Sequence, residues 1–324
     1  MGSGLKSVLI TGISQPIGRL LTYRLMRSND VCGVDRSPWR RAPLGVEVFP
    51  ADLRKRAFED VLRTRRPDAV VHLGLTRDFS EPLSRRYERN VRGTRRVLDL
   101  CHRYDVGALV VLSSGYVYGA QPENPYRLDE DAPLLGSRSY PQIGDLVEVD
   151  AMATAFLWQH ASTRTTVLRP VNVLGPTARS TASVYLRQSR VPTVMGFDPM
   201  MQFIHEDDVA RAIELALVQP VRGVYNVVGP GEVPVSVAIR ECGGRAVPLP
   251  EPLLRPTFRT LFRWHVAGFP SGMIDHLKYP VTLAGRRFAR EAGFGAEHGL
   301  RETFEGFRRA RRLYVEAGGL RRVG

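Results

Sequence analysis

Near its start the sequence sets a glycine-bearing turn, Thr11-Gly12-Ile13-Ser14-Gln15-Pro16-Ile17-Gly18, between the β-branched run Ser7 to Thr11 and an apolar stripe at helical spacing, Ile17, Leu20, Leu21 and Leu25. A turn of this kind aims backbone amides and the positive end of a helix dipole at one point, which suits the pyrophosphate of a dinucleotide. Asp35 closes the next β-branched run, 23 residues after Gly12. There a carboxylate accepts from an adenosine ribose 2′-hydroxyl and repels a 2′-phosphate, so NAD is expected over NADP. Arg36 alongside is the one feature that would serve NADP. The seven histidines contain no HxxxH pair, and Cys32, Cys101 and Cys242 form no CxxC, so no metal site is expected.

These residues need a scaffold, and the first half supplies one by alternating short β-branched runs with amphipathic stretches. Strands are expected over Ser7 to Thr11, Val31 to Asp35, Val46 to Phe49, Ala69 to Leu73, Ala108 to Ser113 and Thr165 to Arg169. Val91, Thr94, Leu98 and Cys101 make a second helical stripe, and a third helix is expected from about Pro141 to His160, with Val149, Ala153, Phe156 and Leu157 inward. The pattern is that of an α/β, Rossmann-type, doubly wound parallel sheet over residues 1–175. After Pro176 the alternation breaks up, Pro, Gly and Met cluster from Val191 to Met201, and a helix is expected over Asp207 to Leu217. A strand at 223–228 returns to the sheet, leaving 176–324 mainly as a smaller substrate-binding or lid domain.

The 324 residues carry 46 Lys and Arg against 33 Asp and Glu, a net charge of +13, with 43% apolar residues, which is globular composition. Only Lys6, Lys55 and Lys278 are lysines, and the arginines are scattered in pairs such as Arg65-Arg66 and Arg95-Arg96. With no zinc-finger spacing and no aromatic-interleaved basic strand, nucleic acid is not an expected partner. No apolar run approaches the ~20 residues of a membrane helix, and Met1 to Lys6 starts no signal peptide. Lys6 also occupies the position where N-myristoylation after Gly2 wants Ser or Thr. A reduced, cytoplasmic setting is expected, with a small-molecule substrate and a homodimer as the partners.

The chain resembles the extended short-chain dehydrogenase/reductases, which include NAD-dependent sugar epimerases and dehydratases. The resemblance runs in order through the glycine turn, Asp52-Leu53, His72-Leu73-Gly74, Asn90-Val91-Arg92-Gly93-Thr94, Ser113-Ser114-Gly115-Tyr116-Val117-Tyr118-Gly119 and Tyr140. It continues through Leu168-Arg169-Pro170-Val171-Asn172-Val173-Leu174-Gly175-Pro176, Phe203-Ile204-His205-Glu206-Asp207-Asp208-Val209-Ala210 and Gly223-Val224-Tyr225-Asn226-Val227. The resemblance implies that Gly12, Gln15, Pro16, Ile17 and Gly18 hold the pyrophosphate, Asp35 the ribose, and Asp52 with Leu53 the adenine. It implies that Leu73, Gly74, Ser113 and Pro170 line the cofactor's path and that Asn90 braces the sheet beside it. Ser114 and Tyr140 map to the catalytic Ser and Tyr, and Gly115, Tyr116, Asn172 and Met201 to the substrate side. The subgroup it matches is epimerase-like, with active-site residues often incomplete.

Three departures stand out. Gln15 replaces the family's middle glycine, placing a Cβ where backbone approaches phosphate and where a positive φ is at issue, although its amide can donate. Gly144 replaces the lysine four residues after Tyr140, removing the charge that holds the nicotinamide ribose and lowers the tyrosine pKa. Arg138 is the nearest basic residue in sequence, and Pro141 pushes Tyr140 out of the helix that follows. Met201 stands where nucleotide-sugar epimerases commonly place a diphosphate-binding Arg; with Met195, Phe197, Met200 and Phe203 it marks a less charged pocket or the small domain's core. His205, Asp207 and Asp208 are expected to cap a helix.

From Leu253 to Gly268, Arg255, Arg259 and Arg263 alternate with Phe258, Leu261, Phe262 and Trp264, a basic amphipathic stretch expected to cover the substrate pocket rather than lie on a membrane. Three functions therefore compete: an atypical NAD-dependent oxidoreductase or epimerase, a non-catalytic NAD-binding sensor or scaffold, and a membrane-surface protein. The first prediction concerns the cofactor: calorimetry is expected to show NAD+ binding more tightly than NADP+, with Asp35→Ala narrowing the preference. Tighter NADP+ binding by the unmutated protein would reject the role given to Asp35.

Overall fold

The computed structural model describes residues 5–79, 81–254 and 271–316. β1 (Ser7–Thr11), β2 (Asp30–Asp35), β3 (Glu47–Pro50), β4 (Ala69–His72), β5 (Ala108–Leu112) and β6 (Arg164–Pro170) fall where the sequence places strands, within one or two residues at each end. Their connections carry α1 (Pro16–Leu25), α2 (Arg56–Arg65), α3 (Leu83–Tyr87), α4 (Gly93–Arg103), α5 (Gly136–Ser139) and α6 (Gly144–Gln159). Beyond them come β7 (Asn172–Leu174), α7 (Thr181–Leu186), β8 (Arg190–Val194), β9 (Met200–His205), α8 (Glu206–Val218) and β10 (Gly223–Val227). β11 (Glu232–Pro234), α9 (Val235–Glu241) and β12 (Arg245–Leu249) follow.

Seven strands form one parallel sheet in the order β10-β6-β5-β4-β1-β2-β3. β1, β4 and β5 read as unbroken apolar runs because helices cover both faces of the sheet. One face takes Leu21 and Leu25 of α1 with Val209, Ile213 and Leu217 of α8. The other takes Phe58 and Leu62 of α2, Val97 and Leu100 of α4, and Ala153 and Phe156 of α6. Strand order reverses between β1 and β4, which opens a crevice at the carboxyl ends of these strands.

β7, β9 and β11 form a separate three-stranded sheet, and β8 pairs with β12. They share a core of Tyr185, Leu186, Phe203, Ile239, Phe304 and Phe307. Met201 and Phe203 are buried there, whereas Met195 and Phe197 are exposed, so the Met-rich stretch is core only in part. His205 accepts from the Asp207 amide at the start of α8, and Asp208 accepts from the amides of Glu297 and His298. Those residues cap and tie the helix, as expected of them. No helix among the described residues is long and apolar enough to cross a membrane. The basic stretch 255–268 lies outside the described residues.

A buried polar network locks the sheet to the loop after β5. Arg169 of β6 forms a two-pronged pair with Asp150 of α6, at 2.9 and 2.6 Å, and its remaining nitrogen donates to the Tyr118 hydroxyl and the Glu130 carbonyl. Ser113 donates to the same Asp150 carboxylate, and Tyr118 donates to Asn226 of β10. Asn226 in turn donates to the carbonyls of Leu128 and Ala284. Removing one partner of a desolvated ion pair strands the other, so Asp150→Ala is expected to cost roughly 3–5 kcal/mol in denaturant unfolding. A loss within the scatter of ordinary surface substitutions would show that the pair is dispensable.

Candidate active site

The β1–α1 turn is built for close approach. Gly12 has φ +74°, and a Cβ on it would lie 2.9 Å from the Gly74 backbone. A Cβ on Gly18 would lie 2.5 Å from the Gly12 carbonyl oxygen, so the turn, the end of β4 and the first turn of α1 interlock without side chains between them. The Thr11 and Thr94 hydroxyls bracket the buried His72 ring at 2.7 and 2.9 Å, and burial drops its pKa to about 4. His72 is thus a neutral clamp of the scaffold. Gln15 takes ordinary extended geometry, φ −70° and ψ 156°, at the N-cap of α1. No positive φ is required there, which corrects the expectation that a glycine is needed at this position for backbone reasons.

A cleft of about 450 Å³ opens beside this turn, with Gln15, Pro16 and Ile17 on one wall and Ser114, Tyr116 and Asn172 on another. Leu73, Ser113 and Pro170 also line it. Asp35 stands outside that lining at the end of β2, its two oxygens accepting from the Ser14 and Ser37 amides at 3.1 and 2.9 Å. Each oxygen keeps a lone pair for a ribose hydroxyl. Arg36 is exposed beside it. Leu53 packs under Gly74, its Cδ1 3.0 Å from where a Gly74 Cβ would sit. The interlocked glycines, the free amide of Gln15 and the open acceptors of Asp35 fit a dinucleotide pyrophosphate and ribose.

Asp52 and Asn90 are held by their neighbours, and Tyr140 lies away from the cleft. The Asp52 carboxylate is held by Arg54, whose hydrogen bonds pull its pKa down to about 2; Oδ2 takes one of them and keeps a lone pair. Asn90 is buried behind the wall, where it exchanges two hydrogen bonds with the Thr76 backbone and donates to Asp145, bracing the loop after β4 without touching the cleft. Tyr140 is the correction. It is fully buried, its hydroxyl has no hydrogen-bond partner among the described residues, and it is not among the described residues that line the cleft.

The burial of Tyr140 has a local cause and a distant one. Pro141 leaves it at φ −134°, ψ 75°, outside α6, which begins only at Gly144. The turn Ser271–Leu277 then covers its ring: a Cβ on Gly272 would sit 2.6 Å from Tyr140 Cδ2. Burial, with the neighbouring Tyr116 next, drives its pKa well above the ordinary value, and the buried Arg86 opposes this only partly. Arg138 is exposed and is no substitute for the missing lysine.

The phenol on the cleft wall is Tyr116. It donates to Asn172 Oδ1 at 2.8 Å, and Ser114 Oγ accepts from its amide at 3.3 Å. Burial raises the Tyr116 pKa as well. Arg77 also lines the cleft, held by the carbonyls of Leu112 and Ser113 at 3.3 and 3.1 Å. Nothing in the composition flagged it, but it lies five residues after His72 at the carboxyl end of β4, where ligands of open α/β sheets sit. Its charge is available to a dianionic pyrophosphate. Arg77→Ala is expected to weaken NAD+ binding about tenfold, or ~1.4 kcal/mol by titration calorimetry. Gln15→Gly is expected to change it less than about twofold, since the turn already has its geometry; a large gain from Gln15→Gly would contradict this.

Residues 8–228 match the family described as the NAD dependent epimerase/dehydratase family. Over 95% of this chain, and 85% of the relative, an uncharacterised protein of Mycobacterium tuberculosis is 28% identical. Human short-chain dehydrogenase/reductase family 42E member 1 is 30% identical over 65% of this chain and 58% of its own. In fold the chain is similar to the UDP-glucose 4-epimerase of Thermus thermophilus solved with NAD, with a TM-score of 0.74 at 22% identity over 94% of this chain and 98% of that one. With the family match spanning more than half of the chain and the cleft shaped for its cofactor, this protein belongs to the NAD-dependent epimerase/dehydratase family of extended short-chain dehydrogenase/reductases.

Proposed function

We propose that the protein is an NAD-dependent oxidoreductase acting on a hydroxyl or carbonyl carbon of a small, sugar-like or comparable molecule seated in the cleft. The observation that carries this reading is that Ser114 and Tyr116 line the same cleft as Gln15, Pro16 and Ile17 of the β1–α1 turn. When bound, NAD supplies the hydride acceptor or donor. Gln15, Gly12 and Gly18 bind its pyrophosphate, Arg77 offsets the charge, and Asp35 takes the ribose. Ser114 Oγ donates to the reacting oxygen. The resemblance assigns proton transfer to Tyr140, and position in the cleft favours Tyr116. A phenol whose pKa is raised by burial keeps its proton at neutral pH, so it can hydrogen-bond to a carbonyl oxygen but is a poor base toward an alcohol.

A second reading, a non-catalytic NAD-binding sensor or scaffold, is supported by Gly144 and by the sealed Tyr140. Steady-state assays separate the two. Little turnover of common nucleotide-sugars is expected at neutral pH, and any oxidation rate should climb toward about tenfold per pH unit as the phenol ionises. Tyr116→Phe is expected to abolish the rate and Tyr140→Phe to spare it. The reverse pattern, with a gain from Gly144→Lys, would return the role to Tyr140; a Cβ at position 144 meets only Ser137 Cβ at 3.9 Å, so that side chain has room. NAD binding with no turnover in any variant would favour the sensor.

A further inference from the structure

Beside Tyr116 the cleft adjoins a chamber of about 30 Å³, lined by Tyr116, Asn172, Met200, Met201, His276 and Leu283 among others. Tyr116, Pro170, Val171 and Asn172 line both spaces. None of the chamber's described lining residues is an acid, an arginine or a lysine. Of its polar side chains, Tyr116 and Asn172 bond each other, and the Asn172 amide also donates to the Gln202 carbonyl.

His276 is different. It is 7% exposed, and neither ring nitrogen has a hydrogen-bond partner among the described residues. Its ring lies against Tyr116 at 4.8 Å between centroids and edge-on to Tyr140 at 6.0 Å. Burial holds its pKa down at about 4, so at neutral pH it is an uncharged imidazole with one donor and one acceptor. Leaving both unmet in the interior costs free energy that a bound hydroxyl or water would return. The chamber is large enough for such a group and too apolar to neutralise a phosphate.

We propose that His276 is the substrate-recognition residue of this chamber, bonding a hydroxyl or keto oxygen of an uncharged substrate with an apolar body, rather than the diphosphate of a nucleotide-sugar. This rests on the cleft being the substrate site of the oxidoreductase reading above. Met201, which stands where a diphosphate-binding arginine is common in epimerases, lines the same chamber and agrees with an uncharged occupant.

The test uses the full chain with ¹⁵N-labelled histidine, titrated with cyclohexanol, cyclohexanone, D-glucose and UDP-glucose, each with and without NAD+. His276→Phe assigns the resonances and keeps a ring in place, and His276→Gln keeps a donor and an acceptor. Cyclohexanol or cyclohexanone is expected to move the His276 nitrogens saturably, at least tenfold more tightly than D-glucose or UDP-glucose. His276→Phe should lose about tenfold of that affinity, His276→Gln should recover part of it, and NAD+ affinity should stay unchanged in both. A merely structural histidine would not shift on titration. Unmoved His276 nitrogens with all four probes, or UDP-glucose binding more tightly than the cyclic alcohol, would overturn the proposal. A His276 response without any NAD+ binding would instead sustain this site and overturn the oxidoreductase reading.

Discussion

The arrangement of the site depends on the buried pair between Arg169 and Asp150. Two charges held in the interior are tolerable only when every remaining donor and acceptor is met, and here Ser113, Tyr118 and the Glu130 carbonyl meet them. The consequence is positional. Ser113 and Tyr118 bound the short helical turn Gly115–Tyr118, so fixing them fixes Ser114 and Tyr116 between. Through Asn226 the same network reaches β10 and the segment carrying Leu283, which lines the adjoining chamber. Cofactor cleft and chamber are therefore set by one set of buried bonds.

The two ends of the cleft have different physical character. Around the β1–α1 turn, backbone meets backbone with no tolerance for a Cβ at Gly12 or Gly18, which fixes the path of the turn by the protein's own packing. At the reacting end, the lysine that would tune a tyrosine is absent, and the tyrosine itself is sealed under Gly272. Tyr116 and His276 occupy that end instead, both uncharged at neutral pH. The chemistry supported there is hydrogen bonding by neutral donors.

What could be read in the sequence was what depends on near neighbours. The strands and the glycine turn follow from periodicity and from the steric needs of one loop. Pro141 announced that Tyr140 would leave the helix, because proline restricts the residue before it whatever the fold. The burial of Tyr140 was hidden, since its cover comes from a turn more than 130 residues later. The hold of Arg54 on the Asp52 carboxylate, two residues away, was also hidden, since such a partner carries no periodic signal. Gln15 was judged by its residue type, whereas its backbone angles decide the matter. His276 belongs to no motif and becomes conspicuous only when its nitrogens are found without partners among the described residues.

The central claim is that the phenol serving this cleft is Tyr116, with Tyr140 held behind the wall. A crystal structure of the NAD+ complex tests it most directly. The account predicts the pyrophosphate on the Gly12–Gly18 turn, the nicotinamide end beside Ser114 and the Tyr116 hydroxyl, and the Tyr140 ring still under Gly272. A displaced Ser271–Leu277 turn, with the Tyr140 hydroxyl within hydrogen-bonding distance of the nicotinamide ribose and Tyr116 turned away, would contradict it.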